Sequence, residues 1–130
     1  MSRARILVVD DDPELLEALR LRLRSRGYEV HTAGDGVEAT RLARRERPDL
    51  VVLDIGMPGG DGHTVAQRLK SDPVTMFLPI IFLTARTNEI DFERARQNGV
   101  EKYLTKPFQV DELVLAVDEL IERAMQSAAV

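Results

Sequence analysis

The chain has 130 residues, 44% of them hydrophobic, enough for one substantial core that buries about two thirds of the unfolded surface. With 22 acidic against 18 basic side chains and a formal net charge of −4, it carries no strong positive field for holding nucleic acid or an anionic membrane directly. The absence of cysteine excludes a disulfide scaffold, thiolate zinc sites and cysteine nucleophiles and fits a reducing compartment; the short apolar run after Arg5 cannot serve as a signal-peptide core or a membrane span, so the cytoplasm is the expected location.

Ile6-Leu7-Val8-Val9 is a continuous, β-branched-rich run, the pattern of a parallel strand covered on both faces. Asp12-Pro13-Glu14 then supplies an N-cap, a first-turn proline and an early acid for a helix whose Leu15, Leu19 and Leu23 share a face until Gly27. Tyr28 to Ala33 alternates as a strand near a sheet edge does, and Asp35 with Glu38 has capping-box spacing ahead of Ala39, Leu42 and Ala43. Val51-Val52-Leu53 reads as a second buried strand. A third helix is expected from Gly62 to Lys70, with Val65, Ala66 and Leu69 inward. Ile80 to Leu83 is a third buried strand, followed by a helix from about Asn88 to Asn98 closed by Gly99. Lys102 to Leu104 is a short last strand. Val110, Leu113, Val114, Val117, Leu120, Ile121 and Ala124 repeat at helical spacing, with residues 126–130 expected to fray.

Five strands alternating with five helices, without repeats or a long linker, predict a single domain over residues 1–130, with its core about 4–124. The expected fold is a doubly wound five-stranded parallel sheet in the order 2-1-3-4-5, with helices on both faces. Ligands of such sheets bind beyond the carboxyl ends of the strands, where the winding reverses. Asp10, Asp11 and Asp12 follow the first strand, Asp54 the third, Thr84 the fourth and Lys106 the fifth. Clustered carboxylates repel by about 4 kcal/mol per pair at ~4 Å and a dielectric of ~20, so they shift a pKa or recruit a cation. Oxygen ligands without His or Cys suit Mg²⁺, and a carboxylate beside Mg²⁺, a lysine and a hydroxyl describe a site for an acyl phosphate.

The stretches Ile6 to Asp12, Val51 to Gly62, Pro79 to Ala85 and Tyr103 to Phe108 closely resemble the receiver domains of two-component response regulators, which are chemotaxis-regulator-like and flavodoxin-like in fold. The resemblance covers roughly Arg5 to Arg123. It implies that Asp54 accepts a phosphoryl group from the phosphohistidine of a sensor histidine kinase or phosphotransfer protein, or from a small donor such as acetyl phosphate. It implies that Asp11 and Asp54 hold Mg²⁺, for which Mn²⁺ substitutes, with the Gly56 carbonyl as a backbone ligand and Asp10 acting through water. Thr84, Lys106 and the backbone N–H groups of Gly56 and Ala85 would bind the phosphoryl oxygens. Thr84 would then move and Tyr103 turn inward, changing the face formed by the fourth helix, fifth strand and fifth helix. A cis Lys106–Pro107 peptide is also implied.

The resemblance points to a signalling switch that reacts only on itself, acting on a downstream protein or on a linked output domain outside this chain, as a monomer or a weak phosphorylation-dependent dimer. Two other readings stand beside it: an inactive pseudo-receiver used for docking, and a phosphohydrolase of the haloacid dehalogenase type. The first class commonly lacks the acceptor, the acid pair or the lysine, all present here; the second needs an Asp where this chain has Gly56. Gly56 and Arg86 occupy positions that tune how water reaches the phosphate, and Arg86 is expected to shield it. The fifth helix shows no arginine between Leu113 and Leu120, which weakens the expectation of a salt-bridged dimer. Asp12 is expected only to cap its helix, Met57-Pro58 to pack a loop, and His31 and His63 to be solvated.

Overall fold

A computed structural model of the chain describes residues 3–57, 62–85 and 92–128. Strands β1 (Arg5–Val9), β2 (Glu29–Ala33), β3 (Leu50–Asp54), β4 (Ile80–Thr84) and β5 (Val100–Thr105) alternate with helices α1 (Pro13–Ser25), α2 (Gly36–Glu46), α3 (Gly62–Ser71), α4 (Phe92–Gln97) and α5 (Val110–Ala128). The strands form one parallel sheet in the expected order, β2-β1-β3-β4-β5.

The pleat explains why the central strands are apolar throughout. Side chains alternate between the two faces: Ile6, Val8, Val52, Ile81 and Leu83 enter a core shared with Leu19 and Leu23 of α1 and Leu113, Val117 and Leu120 of α5. Leu7, Val9, Val51, Leu53 and Phe82 enter the opposite core, against Ala39 and Leu42 of α2 and Val65 and Leu69 of α3. Neither face is wet, so neither tolerates the polar residues that would produce alternation.

The ends of the elements follow their local chemistry. The Asp12 carboxylate accepts from the N–H groups of Glu14 (3.0 Å) and Leu15 (3.3 Å), and Pro13 begins α1. Asp35 accepts from the N–H of Glu38 at 2.8 Å, capping α2. Gly27 and Gly99 reverse the chain at φ of +94° and +76°, conformations open to glycine without a Cβ penalty. The end of α2 is different. Arg47 adopts the left-handed region at φ 48° without being glycine. A tertiary clasp holds this turn: Asp49 N–H donates to the Arg5 carbonyl (2.7 Å), and Arg5 N–H to the Asp49 carboxylate (2.8 Å).

Two elements depart from the sequence expectation by more than one residue, and a third is described only in part. β5 spans Val100–Thr105 rather than Lys102 to Leu104, because Ile80 pairs with Val100 and Ile81 with Lys102. Glu101 is therefore an extra residue in the ladder, and this bulge broke the two-residue period by which Val100 would have been read into the strand. α5 continues to Ala128, past the expected fraying point at Gln126; adding a residue to an existing helix adds a hydrogen bond without a new nucleus, and Met125 and Gln126 are good helix formers. The described part of α4 starts at Phe92, and residues 88–91 of the expected helix lie outside the described residues. Among the described residues, no helix is long and apolar enough to cross a membrane.

Candidate functional site

Parallel register carries the candidate side chains to one edge. Val9 pairs with Leu53, so the residues that follow, Asp10 and Asp54, emerge side by side. Asp54 pairs with Leu83 and Thr84 with Thr105, which sets Thr84 and then Lys106 on the same rim. The ladder continues just past the strands: Asp10 N–H donates to the Ala33 carbonyl (3.1 Å), Ile55 N–H to Leu83 (2.9 Å) and Lys106 N–H to Thr84 (2.6 Å). The candidate side chains thus stand on backbone held by the sheet, which favours preorganisation.

Asp10, Asp11 and Asp54 each offer a carboxylate oxygen, and these oxygens lie within 4.8 Å of one another. Asp10 is fully buried, Asp54 nearly so at 6% exposure, and Asp11 is exposed. Lys106 Nζ donates to Asp10 Oδ2 at 2.7 Å and lies 3.6 Å from Asp54 Oδ2. Asp10 Oδ1 accepts from Asp12 N–H (2.9 Å), so both Asp10 oxygens are engaged; Asp54 Oδ1 accepts from Gly56 N–H (3.1 Å).

One ammonium cannot neutralise three carboxylates. Burial, with the charges of Asp10 and Asp11 adding to it, pushes the Asp54 carboxyl above its ordinary range, although the Gly56 N–H and Lys106 pull the other way. Burial also disfavours the Lys106 ammonium, yet its hydrogen bond to Asp10 and the nearby Asp54 charge outweigh this and hold it above the usual lysine value. Among the described residues the cluster carries more negative than positive charge, and its all-oxygen donor set fits a hard divalent cation.

The remaining candidates take these places. Thr84 is buried at the end of β4 and Ala85 is exposed just beyond it. Among the described residues, a Cβ at Gly56 would meet nothing nearer than Asp54 Oδ1 at 3.9 Å, which leaves room beside Asp54 there. Tyr103 is half-buried on β5, edge-on to Phe82. The Lys106–Pro107 peptide is cis. Arg86 and Pro58 lie outside the described residues, while Met57 is buried in the core under the site.

The expectation for His63 is corrected, and that for His31 holds in part. His63 is buried, with 5% exposure, because its place on the first turn of α3 turns its ring into the core against Phe82. His31 is half-buried, lying 3.1 Å from Glu29 on the edge strand. The polarity of an imidazole says nothing about which face of its helix or strand is covered.

Sequence reasoning also missed the role of Gly62, which opens α3. Its N–H donates to the Ile55 carbonyl at 3.0 Å, and a Cβ there would lie 2.8 Å from Ile55 Cα and 3.0 Å from the Asp54 carbonyl oxygen. The signal available was a poor helix former at a helix start, shortly after a loop rich in glycine. In an unconstrained helix, Gly→Ala stabilises by about 1 kcal/mol. Here Gly62→Ala should instead destabilise by about 1–3 kcal/mol, because the obstacles are backbone atoms that cannot rotate away. Urea unfolding measures the sign, and a more stable variant would show that the backbone after Asp54 has room to shift.

A doubly wound sheet with an acid cluster and a lysine at its carboxyl edge defines a receiver-type signalling domain. A family model described as the response regulator receiver domain matches residues 6–118, and the chain belongs to that family, whose members are components of two-component signalling rather than turnover enzymes. The chain is 42% identical over 121 residues to the DNA-binding response regulator MtrA of Mycolicibacterium smegmatis, covering 93% of this chain and 52% of that protein. It thus spans about half the length of the DNA-binding regulators it matches. Among solved structures, it is similar to the receiver domain of the sensor histidine kinase PA1611 of Pseudomonas aeruginosa (TM-score 0.82, 34% identity, 93% of this chain and 99% of that one), a structure with a magnesium ion coordinated in the active site cleft. It is also similar to the chemotaxis protein CheY4 of Vibrio cholerae (TM-score 0.85, 29% identity, 92% and 99%).

Proposed function

We propose that this receiver domain is a switch set by phosphorylation of Asp54, with a sensor histidine kinase or phosphotransfer protein as donor. The observation that carries the reading is the nearly buried Asp54 carboxylate, clustered with Asp10 and Asp11 and 3.6 Å from the Lys106 ammonium. An Asp54 oxygen forms the new O–P bond while the N–P bond of the donor breaks and its imidazole leaves with the electron pair. Such a transfer needs little acid-base work and much placement of positive charge around the phosphoryl oxygens. Lys106 supplies one charge, and the Thr84 hydroxyl with the N–H groups of Gly56 and Ala85 supplies hydrogen bonds.

Asp11 and Asp54 would hold Mg²⁺, or Mn²⁺ in its place, with the Gly56 carbonyl; Asp10, both of whose oxygens are already engaged, fits a contribution through water. When bound, the ion would neutralise charge on the transferring group. Asp11→Ala should weaken Mg²⁺ affinity by more than about a hundredfold, beyond the usual effect of losing an outer-shell partner; calorimetry giving unchanged affinity would place the metal elsewhere.

Incubation with acetyl phosphate and Mg²⁺ should add one acid-labile phosphoryl group by mass spectrometry, and none after chelation. No uptake from acetyl phosphate, phosphoramidate or a panel of phosphorylated histidine kinases would make the domain a docking module instead. Output would pass through the face of α4, β5 and α5, to a downstream protein or a linked domain, by way of Thr84 and Tyr103. With no side chain at Gly56 beside the acceptor, Arg86 is the one of the two tuning positions able to screen the phosphate. Arg86→Ala should shorten the half-life of the phosphoprotein after donor removal, and a longer half-life would make Arg86 a stabiliser of the hydrolytic transition state.

A further inference from the structure

We propose that His63 and Phe82 together position Tyr103, coupling the first turn of α3 to the aromatic side chain on β5. The inference rests on the reading above, in which Tyr103 changes place when Asp54 is phosphorylated. Three rings form a continuous row. The His63 and Phe82 centroids are 5.1 Å apart with planes at 86°, and those of Phe82 and Tyr103 are 6.3 Å apart at 67°. Both pairs fall in the separation range and edge-to-face geometry that aromatic quadrupoles favour. Phe82 is fully buried and pairs with Tyr103 across the β4–β5 ladder.

Placement makes the row a coupling element. Phe82 and Thr84 are two residues apart on β4 and so share a face. Space released by Thr84 therefore opens on the face that carries the Phe82 ring, against which Tyr103 packs edge-on. At its far end, the row is tied to the acceptor loop: Gly62, the residue before His63, is bonded to the Ile55 carbonyl and packed so closely on Ile55 and Asp54 that no Cβ fits. A displacement of the loop after Asp54 is thus delivered to His63 and through Phe82 to Tyr103. Close-packed rings change place by discrete repacking rather than by gradual deformation, which suits a two-position switch.

The chain contains two tyrosines, Tyr28 and Tyr103, and Tyr28 packs against the core on the other face of the sheet. Labelling with 3-fluorotyrosine gives a reporter and an internal control in one ¹⁹F NMR spectrum, assigned with Tyr103→Phe. In the wild type, beryllium fluoride with Mg²⁺, an isostere of the acyl phosphate, should move the Tyr103 resonance and leave that of Tyr28 in place. In His63→Ala, Phe82 relaxes into the vacated volume. The resting Tyr103 resonance should then shift toward its beryllium fluoride position, a population change of roughly threefold or more, as expected for loss of one edge-to-face contact. His63→Phe, which keeps a ring at this place, should restore the resting position. If His63→Ala fails to fold, His63→Leu tests the same direction with less volume lost.

Folded His63→Ala or His63→Leu protein with wild-type Tyr103 resonances, with and without beryllium fluoride, overturns the coupling while leaving the switch reading intact. Movement of Tyr28 together with Tyr103 in the variants overturns it as well, as general loosening. A wild-type Tyr103 resonance indifferent to beryllium fluoride overturns the switch reading and the coupling with it.

Discussion

Asp54→Asn should abolish uptake of phosphoryl groups from acetyl phosphate and from any histidine kinase donor, down to the background of the donor-free protein. The three acids at the sheet edge are not equivalent. Asp10 is fully buried with both oxygens committed, to the Asp12 N–H and to Lys106, and Asp11 is exposed. Asp54 combines near-complete burial with proximity to the ammonium and to the loop N–H of Gly56. An amide in its place is neutral and a poor nucleophile. Full labelling in the variant, by intact-protein mass spectrometry, would remove Asp54 from its proposed role.

The same variant carries a stability test with a definite sign. Burial and neighbouring charge raise the Asp54 carboxyl above its ordinary value in the folded state. Between the unfolded and folded pKa values, the folded protein binds more protons, so stability falls as pH rises through that window and stays lower above it. The amide of the variant cannot ionise. In metal-free buffer at neutral pH, Asp54→Asn should melt higher than the wild type, and the difference should vanish as pH falls below the ordinary carboxylate range. A lower melting temperature at neutral pH would mean that the contacts of Asp54 with Gly56 and Lys106 outweigh the repulsion.

Lys106→Met should have the largest effect on stability and nearly as large an effect on transfer. It removes the cation 2.7 Å from a carboxylate with no solvent exposure, in a cluster already rich in negative charge. Breaking a fully buried pair by deleting one partner costs about 3–5 kcal/mol. The Lys106 side chain is 27% exposed, and water reaching it lowers the expected loss to about 2–3 kcal/mol in metal-free protein at neutral pH. Because the folded-state pKa of Lys106 lies above its ordinary value, its contribution is complete at neutral pH and is lost only as pH rises through that higher value.

Mg²⁺ should recover a large part of the loss in Lys106→Met, since a divalent ion held by Asp11 and Asp54 would replace the missing charge and favour the folded state, where these carboxylates converge. Transfer from acetyl phosphate should fall by about 10²–10³-fold even with Mg²⁺ saturating, the usual effect of removing one group that stabilises charge in a transition state. Chemical unfolding with and without Mg²⁺, alongside a labelling time course, separates the two. Equal stability of variant and wild type without metal would show that Asp10 does not depend on Lys106 as its counter-ion.

What was legible in the sequence was the set of features encoded within a few residues of one another. Continuous runs such as Val51-Val52-Leu53 announced strands buried on both faces, and Asp12-Pro13 and Asp35 announced helix starts, because burial and capping act over one turn or one strand. From that alternation, the handedness of crossovers fixed the strand order, which in turn gathered Asp10, Asp11, Asp54, Thr84 and Lys106 at one edge. Partners brought together across the sheet were not legible. Lys106 could be read as belonging to the acid cluster, but its closer partner, Asp10 rather than Asp54, depends on ångström differences in register and side-chain reach. The extra residue Glu101 shifted β5 because a bulge is settled by pairing with β4. His63 carries a polar ring that suggests solvent in any linear reading, and only the packing of α3 on β4 turned it against Phe82. In the sequence Gly62 is only the start of a helix, and it takes the fold to bring it onto the backbone of Ile55. Local chemistry acts along the chain and can be read there, whereas contact distances between residues far apart in sequence are set when both faces of the sheet are packed at once.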